Sequence, residues 1–84
     1  MANFTLEITS LLNGTLFKGE CNLAVIPGST GDLGVMHDHE SVITTLREGT
    51  ITVFDDKQNL IKSFDVKGGF AKMITEDRLS VVVE

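Results

Sequence analysis

Apolar and polar residues alternate with a period of two through most of this chain, and that pattern restricts the fold more than any single motif. Phe4, Leu6 and Ile8 lie on one side of a stretch whose other side carries Asn3, Thr5, Glu7 and Thr9. This is the pattern of a strand with one face in a core. Leu79, Val81 and Val83 repeat it at the far end. Between them, Cys21 to Ile26, Leu33 with Val35, the β-branched Ser41 to Leu46, Thr50 to Phe54, Leu60 to Val66 and Phe70 to Ile74 read as strands. Asn13-Gly14, Pro27-Gly28, Asp55 to Asn59 and Thr75 to Asp77 read as turns, and Gly19 reads as the end of a short segment holding Leu16 and Phe17. Gly68 and Gly69 mark either a tight turn or a place where another backbone comes close. No window has a convincing helical period. Eight or nine short strands spaced about 8–12 residues apart predict an all-β fold, an antiparallel sandwich or a flattened barrel.

Length sharpens this expectation. A chain of 84 residues supports one domain, spanning 1–84, and a core of that size buries only about 60–65% of the surface the unfolded chain exposes. Ordering each residue costs on the order of 1–2 kcal/mol of backbone entropy, so nearly all of the 42% of residues that are apolar must reach a shared core.

Composition excludes several functions. Phe is the only aromatic residue, with five copies, and the formal net charge is −5, so both base stacking and attraction to a polyanion are poor. Nucleic acid and acidic membrane surfaces are therefore not expected partners. The lone Cys21 has no intrachain disulfide partner, which points to a reducing compartment, and beside Leu23 and Val25 it reads as a half-buried small hydrophobe. The N-terminus has no basic or long apolar run, and no apolar stretch approaches the roughly 20 residues of a membrane span. A soluble protein without direct lipid insertion is expected.

The polar residues concentrate in Gly31 to Ser41, GDLGVMHDHES, with two histidines and three carboxylates. A zinc centre needs three or four convergent ligands; His37 and His39 supply two nitrogens, and Cys21 is separated from them by a turn. Catalytic carboxylates need burial to drive their pKa values apart, and a Gly-rich polar turn leaves them solvated. The glycines of GSTGDLG fit neither GxxxxGK[ST] nor GxGxxG, and no helix follows to receive a phosphate. No metal, cofactor or catalytic residue is expected. The residues themselves point to a binding module whose loops meet another protein, with a freestanding β-sandwich interaction module and a small His-based metal-binding protein as the other readings.

Five ordered pieces then carry a resemblance. FTLEITS, LFKGE, the long run IPGSTGDLGVMHDHESVITTLREGTITV, FDVKGGFAKM and DRLSVVVE together resemble the N-terminal β-sandwich domain of the epsilon subunit of F-type ATP synthases, over essentially the whole chain. The resemblance implies a flattened antiparallel sandwich of about ten short strands, without catalytic activity, in the central rotor of a bacterial enzyme. It implies the gamma subunit and the c-ring as partners, and a peripheral place on the cytoplasmic face of the inner membrane. By position, Asp32 matches an acidic residue in the turn that approaches the c-ring loops, and Gly31 and Gly34 match its flanking glycines. His39 matches a histidine on the side that meets gamma, Ser10 ends a first strand near gamma, and Gly68 and Gly69 match an architectural pair.

Two departures stand out. Glu40 and Ser41 replace the Ala-Pro that often follows the histidine, and His37 stands where Pro or another loop residue is usual. The family's C-terminal helical hairpin has no counterpart before Glu84, which makes this a naturally short or a truncated epsilon chain. The expectation that goes with it is no small-molecule ligand and no imposition of the extended inhibitory state.

Overall fold

The computed structural model describes residues 3–37, 43–75 and 77–84. Among these residues nine strands form, and no helix: β1 (Phe4–Ser10), β2 (Gly14–Cys21), β3 (Leu23–Gly28), β4 (Gly31–Val35), β5 (Ile43–Leu46), β6 (Gly49–Phe54), β7 (Leu60–Val66), β8 (Gly69–Thr75) and β9 (Arg78–Val83). Hydrogen bonds join them into one curled sheet in the order β2-β1-β9-β8-β5-β3-β6-β7, with β4 on the other side of β3. The curl brings the two ends of this order together. Phe17 of β2 and Phe64 of β7 meet edge to face, 6.0 Å between ring centres and 66° between planes, and both rings pack against the core.

The alternation becomes burial directly. Along β1 every second residue, from Phe4 to Ser10, is buried, and Leu79, Val81 and Val83 of β9 follow the same rule. Leu6, Ile8, Ala24, Ile26, Val35, Ile51, Val53, Ala71, Leu79 and Val81 are wholly inaccessible. Each large aliphatic side chain among them contributes about 1.5–3 kcal/mol of burial.

One pairing departs from an all-antiparallel sheet. β1 and β9 run parallel, with Leu6 beside Leu79 and Ile8 beside Val81, and the whole intervening chain supplies the crossover that parallel strands require. Gly19 does not end a strand as its type suggested. β2 passes through it opposite Leu6, and a Cβ there would make only an ordinary contact with the Phe17 ring, at 3.5 Å. Pro27 and Gly28 likewise complete β3 rather than follow it.

The Gly68-Gly69 pair is a close approach of backbones. Gly69 has φ 143°, and a Cβ added to it would lie 2.0 Å from the carbonyl oxygen of Val82. The β6–β7 turn is shaped by a side chain instead. Asp55 Oδ1 accepts the N–H groups of Asn59 and Lys57, both at 2.9 Å, and these bonds, that from Asn59 first, hold its carboxyl below the ordinary range.

Two outcomes follow. Gly69→Ala should lose about 2–5 kcal/mol in chemical denaturation, the sum of a strained φ and a displaced β9, whereas Gly34→Ala, whose Cβ would meet only Leu23 Cδ1 at 3.5 Å, should change stability by less than about 1 kcal/mol. Because the folded carboxyl of Asp55 ionises more readily than the unfolded one, its contribution is present above the ordinary aspartate range and fades as pH falls through the folded value. A stability profile of Asp55→Ala should lack that acid limb.

Candidate docking surface

Asp32 is carried just after the β3–β4 turn. Gly31 has φ 146°, and a Cβ on Gly28 would lie 2.7 Å from the Gly31 carbonyl oxygen, so the turn closes only on these two glycines. Antiparallel register then sets Leu33 beside Ile26 and Val35 beside Ala24. Val35 is buried and Leu33 packs against the core. The alternate residues, Asp32 and Gly34, are left exposed.

Asp32 is not a bare carboxylate. Its Oδ1 accepts a hydrogen bond from the Arg47 guanidinium at 2.5 Å, although both side chains are well exposed, 64% for Asp32 and 45% for Arg47. Strand pairing explains how residues 15 apart meet. Pro27 pairs with Asp32 on one side of β3, and its carbonyl accepts the Arg47 N–H at 2.9 Å on the other. Arg47 therefore reaches across Pro27. A Cβ on Gly49 would lie 2.8 Å from Pro27 Cβ and 3.1 Å from Arg47 Nη1, so a glycine at 49 leaves the space that the side chain crosses. Such an exposed pair stabilises a fold by about 0–1 kcal/mol. The sequence reading missed Arg47, because nothing within a local window connects it to Asp32.

Ser10 is buried, with 4% exposure. Its Oγ accepts the N–H groups of Leu12 and Asn13, each at 3.2 Å, and so folds the β1–β2 turn. That turn holds Leu11 and Leu12 in solvent, 74% and 87% exposed. These leucines were also missed; their signal was an apolar pair directly before Asn13-Gly14. Beside them is a groove of about 480 Å³ lined by Leu11, Leu46, Phe70, Val82 and Val83, with Lys67 and Glu84 among its polar residues. Ile43, Phe70 and Ile74 extend the exposed apolar surface along β5 and β8. Contiguous apolar exposure of this kind marks contact surfaces.

His39, with Asp38, Glu40 and Ser41, lies outside the described residues. His37 is half-buried and follows β4. Among the described residues no three His, Cys, Asp or Glu side chains converge, and no helix is long and apolar enough to cross a membrane. Cys21 is fully rather than half buried, because it falls opposite Phe4 in the β1–β2 register. Burial pushes its thiol up to about 12.

A family model described as the β-sandwich domain of the ATP synthase delta/epsilon chain matches residues 3–84. The chain belongs to this family. It is 44% identical over 69 residues to the ATP synthase epsilon chain of Caulobacter vibrioides, covering 82% of this chain and 77% of that one. The epsilon chain of Parvibaculum lavamentivorans is also 44% identical over 69 residues, and there the match spans 51% of the relative. The fold is shared with a chain in the Euglena gracilis mitochondrial ATP synthase, OSCP/F1/c-ring structure, with TM-score 0.87 and 19% identity over 99% of this chain and 51% of that one. A chain of the Tetrahymena thermophila mitochondrial ATP synthase central stalk/c-ring structure gives TM-score 0.75 at 9% identity, over 98% of this chain and 63% of that one. The nine strands are thus this β-sandwich family's fold in the present chain.

The thiolate is the reactive form of cysteine. An aromatic disulfide reagent at pH 8 should therefore leave Cys21 unmodified in the native protein and titrate one thiol per chain at once after unfolding in guanidinium.

Proposed function

We propose that this chain is a non-catalytic rotor subunit of a bacterial F-type ATP synthase, docking on the gamma subunit and the c-ring and coupling proton transport to ATP synthesis. The observation that carries the reading is the family match over residues 3–84, on a sandwich whose structural neighbours belong to ATP synthase central-stalk and c-ring assemblies. The complex is membrane-associated, and we assign this subunit to the cytoplasmic face of the inner membrane, peripheral and without lipid insertion. Residues 1–84 act as one domain with no cofactor.

Physical form supports the role. A body that passes torque between two partners must resist shear, and a sheet curled until Phe17 meets Phe64 resists it through dense cross-strand pairing. Asp32, framed by Gly31 and Gly34, faces the polar loops of the c-ring. Ser10 acts through the turn it folds, with Leu11 and Leu12 as the apolar anchors toward gamma.

Purified chain and gamma subunit should form a one-to-one complex at micromolar concentration in native mass spectrometry, and absence of a complex overturns the assignment. Replacing both Leu11 and Leu12 with Ser should weaken it at least about tenfold, since each leucine buried on docking is worth about 1.5–3 kcal/mol. The melting temperature should hardly change, because both side chains are already in solvent.

A further inference from the structure

We propose that the recognition element beside the β3–β4 turn is the Asp32–Arg47 pair, with Arg47 as a second contact and specificity residue, so that the polar loops of the c-ring are read by a neutral donor–acceptor unit and not by a lone negative charge. This rests on the rotor-subunit reading above.

The pair is held by the fold. β4 joins the sheet only through β3, and Asp32 lies near its start, just after a turn that Gly28 and Gly31 permit. Arg47 is anchored from the other side of β3 by its own N–H on the Pro27 carbonyl. Its side chain passes over Pro27 through the space left by Gly49. Two strand-paired backbone positions and the space over Pro27 therefore bring a guanidinium to a carboxylate on an exposed surface.

Charge accounting gives the consequence. Acidic residues outnumber basic ones in the chain, yet here the carboxylate already has its cation. A partner that offered only a basic group would have to displace Arg47 or share Asp32 with it. A polar surface presenting a donor toward Asp32 and an acceptor toward Arg47 meets both without separating them, because a guanidinium has five N–H donors in a planar fork. Amide- and hydroxyl-bearing loops have that chemistry. Docking through a neutral unit also depends less on ionic strength than docking through an isolated charge.

The test measures binding of the full chain to a purified rotor complex lacking epsilon, across a range of sodium chloride concentrations, for wild type, D32N, R47Q, the double variant D32N/R47Q and the exchanged pair D32R/R47D. Arg47→Gln and Asp32→Asn should each weaken binding about tenfold, and the double variant should lose little more than either alone. Arg47→Gln should also steepen the salt dependence, because it uncovers Asp32. The exchanged pair should keep the wild-type melting temperature while docking stays weak; that separates recognition from a structural role. Wild-type binding by Arg47→Gln, or by the exchanged pair, overturns the inference alone. Failure of the wild-type chain to bind overturns the proposed function and the inference with it. Should Arg47→Gln lower the melting temperature, Arg47→Lys decides: it keeps the charge but not the fork, and unimpaired docking by it counts against the pair as a reading element.

Discussion

The parallel pairing of β1 with β9 is the constraint on which the rest of the structure depends. It lays residues from opposite ends of the chain side by side, Leu6 against Leu79 and Ile8 against Val81, in the most buried part of the core. Every other strand must then fit into the loop of chain between these two. The pairing is of high sequence separation, so its loop-closure entropy must be met by contacts that form with it. β8 supplies them by pairing along β9, closely enough at Gly69 that no side chain fits there.

Most of the strand plan was legible in the sequence because burial on one face forces a period of two, and β1 and β9 show the signal without interruption. Gly19 misled because a glycine can lie within a strand as well as at its end, and only its pairing opposite Leu6 distinguishes the two. The parallel pairing was not legible. Alternation reports which face a residue takes, not which strand lies beside it or in which direction. The same limit hid Arg47: its partner is 15 residues away, and the two meet only because both β4 and the residue after β5 bond to Pro27 from opposite sides.

The candidate contact residues separated in an instructive way. Asp32 is exposed as its place on a Gly-rich turn implied, but neutralised by a neighbour. Ser10 is not a surface residue; its hydroxyl organises the next two residues, and those carry the exposed apolar area. The chemistry each position offers depends on hydrogen bonds that local sequence does not encode.

The curled sheet also has an uneven stiffness. β2, β1, β9, β8 and β5 are connected along most of their lengths, as are β4, β3, β6 and β7, but among the described residues the ladder between the two groups holds one pair in register, Gly28–Leu46. Two flanking bonds, Ser29 N–H to the Thr45 carbonyl and Arg47 N–H to the Pro27 carbonyl, both at 2.9 Å, support it. A twist applied between the two groups would load this short seam first, with the Phe17–Phe64 contact as the noncovalent stop on the far side. Shear between the two groups is therefore resisted at this corner by a few backbone bonds together with the core that both groups share, next to the residue that grips Asp32.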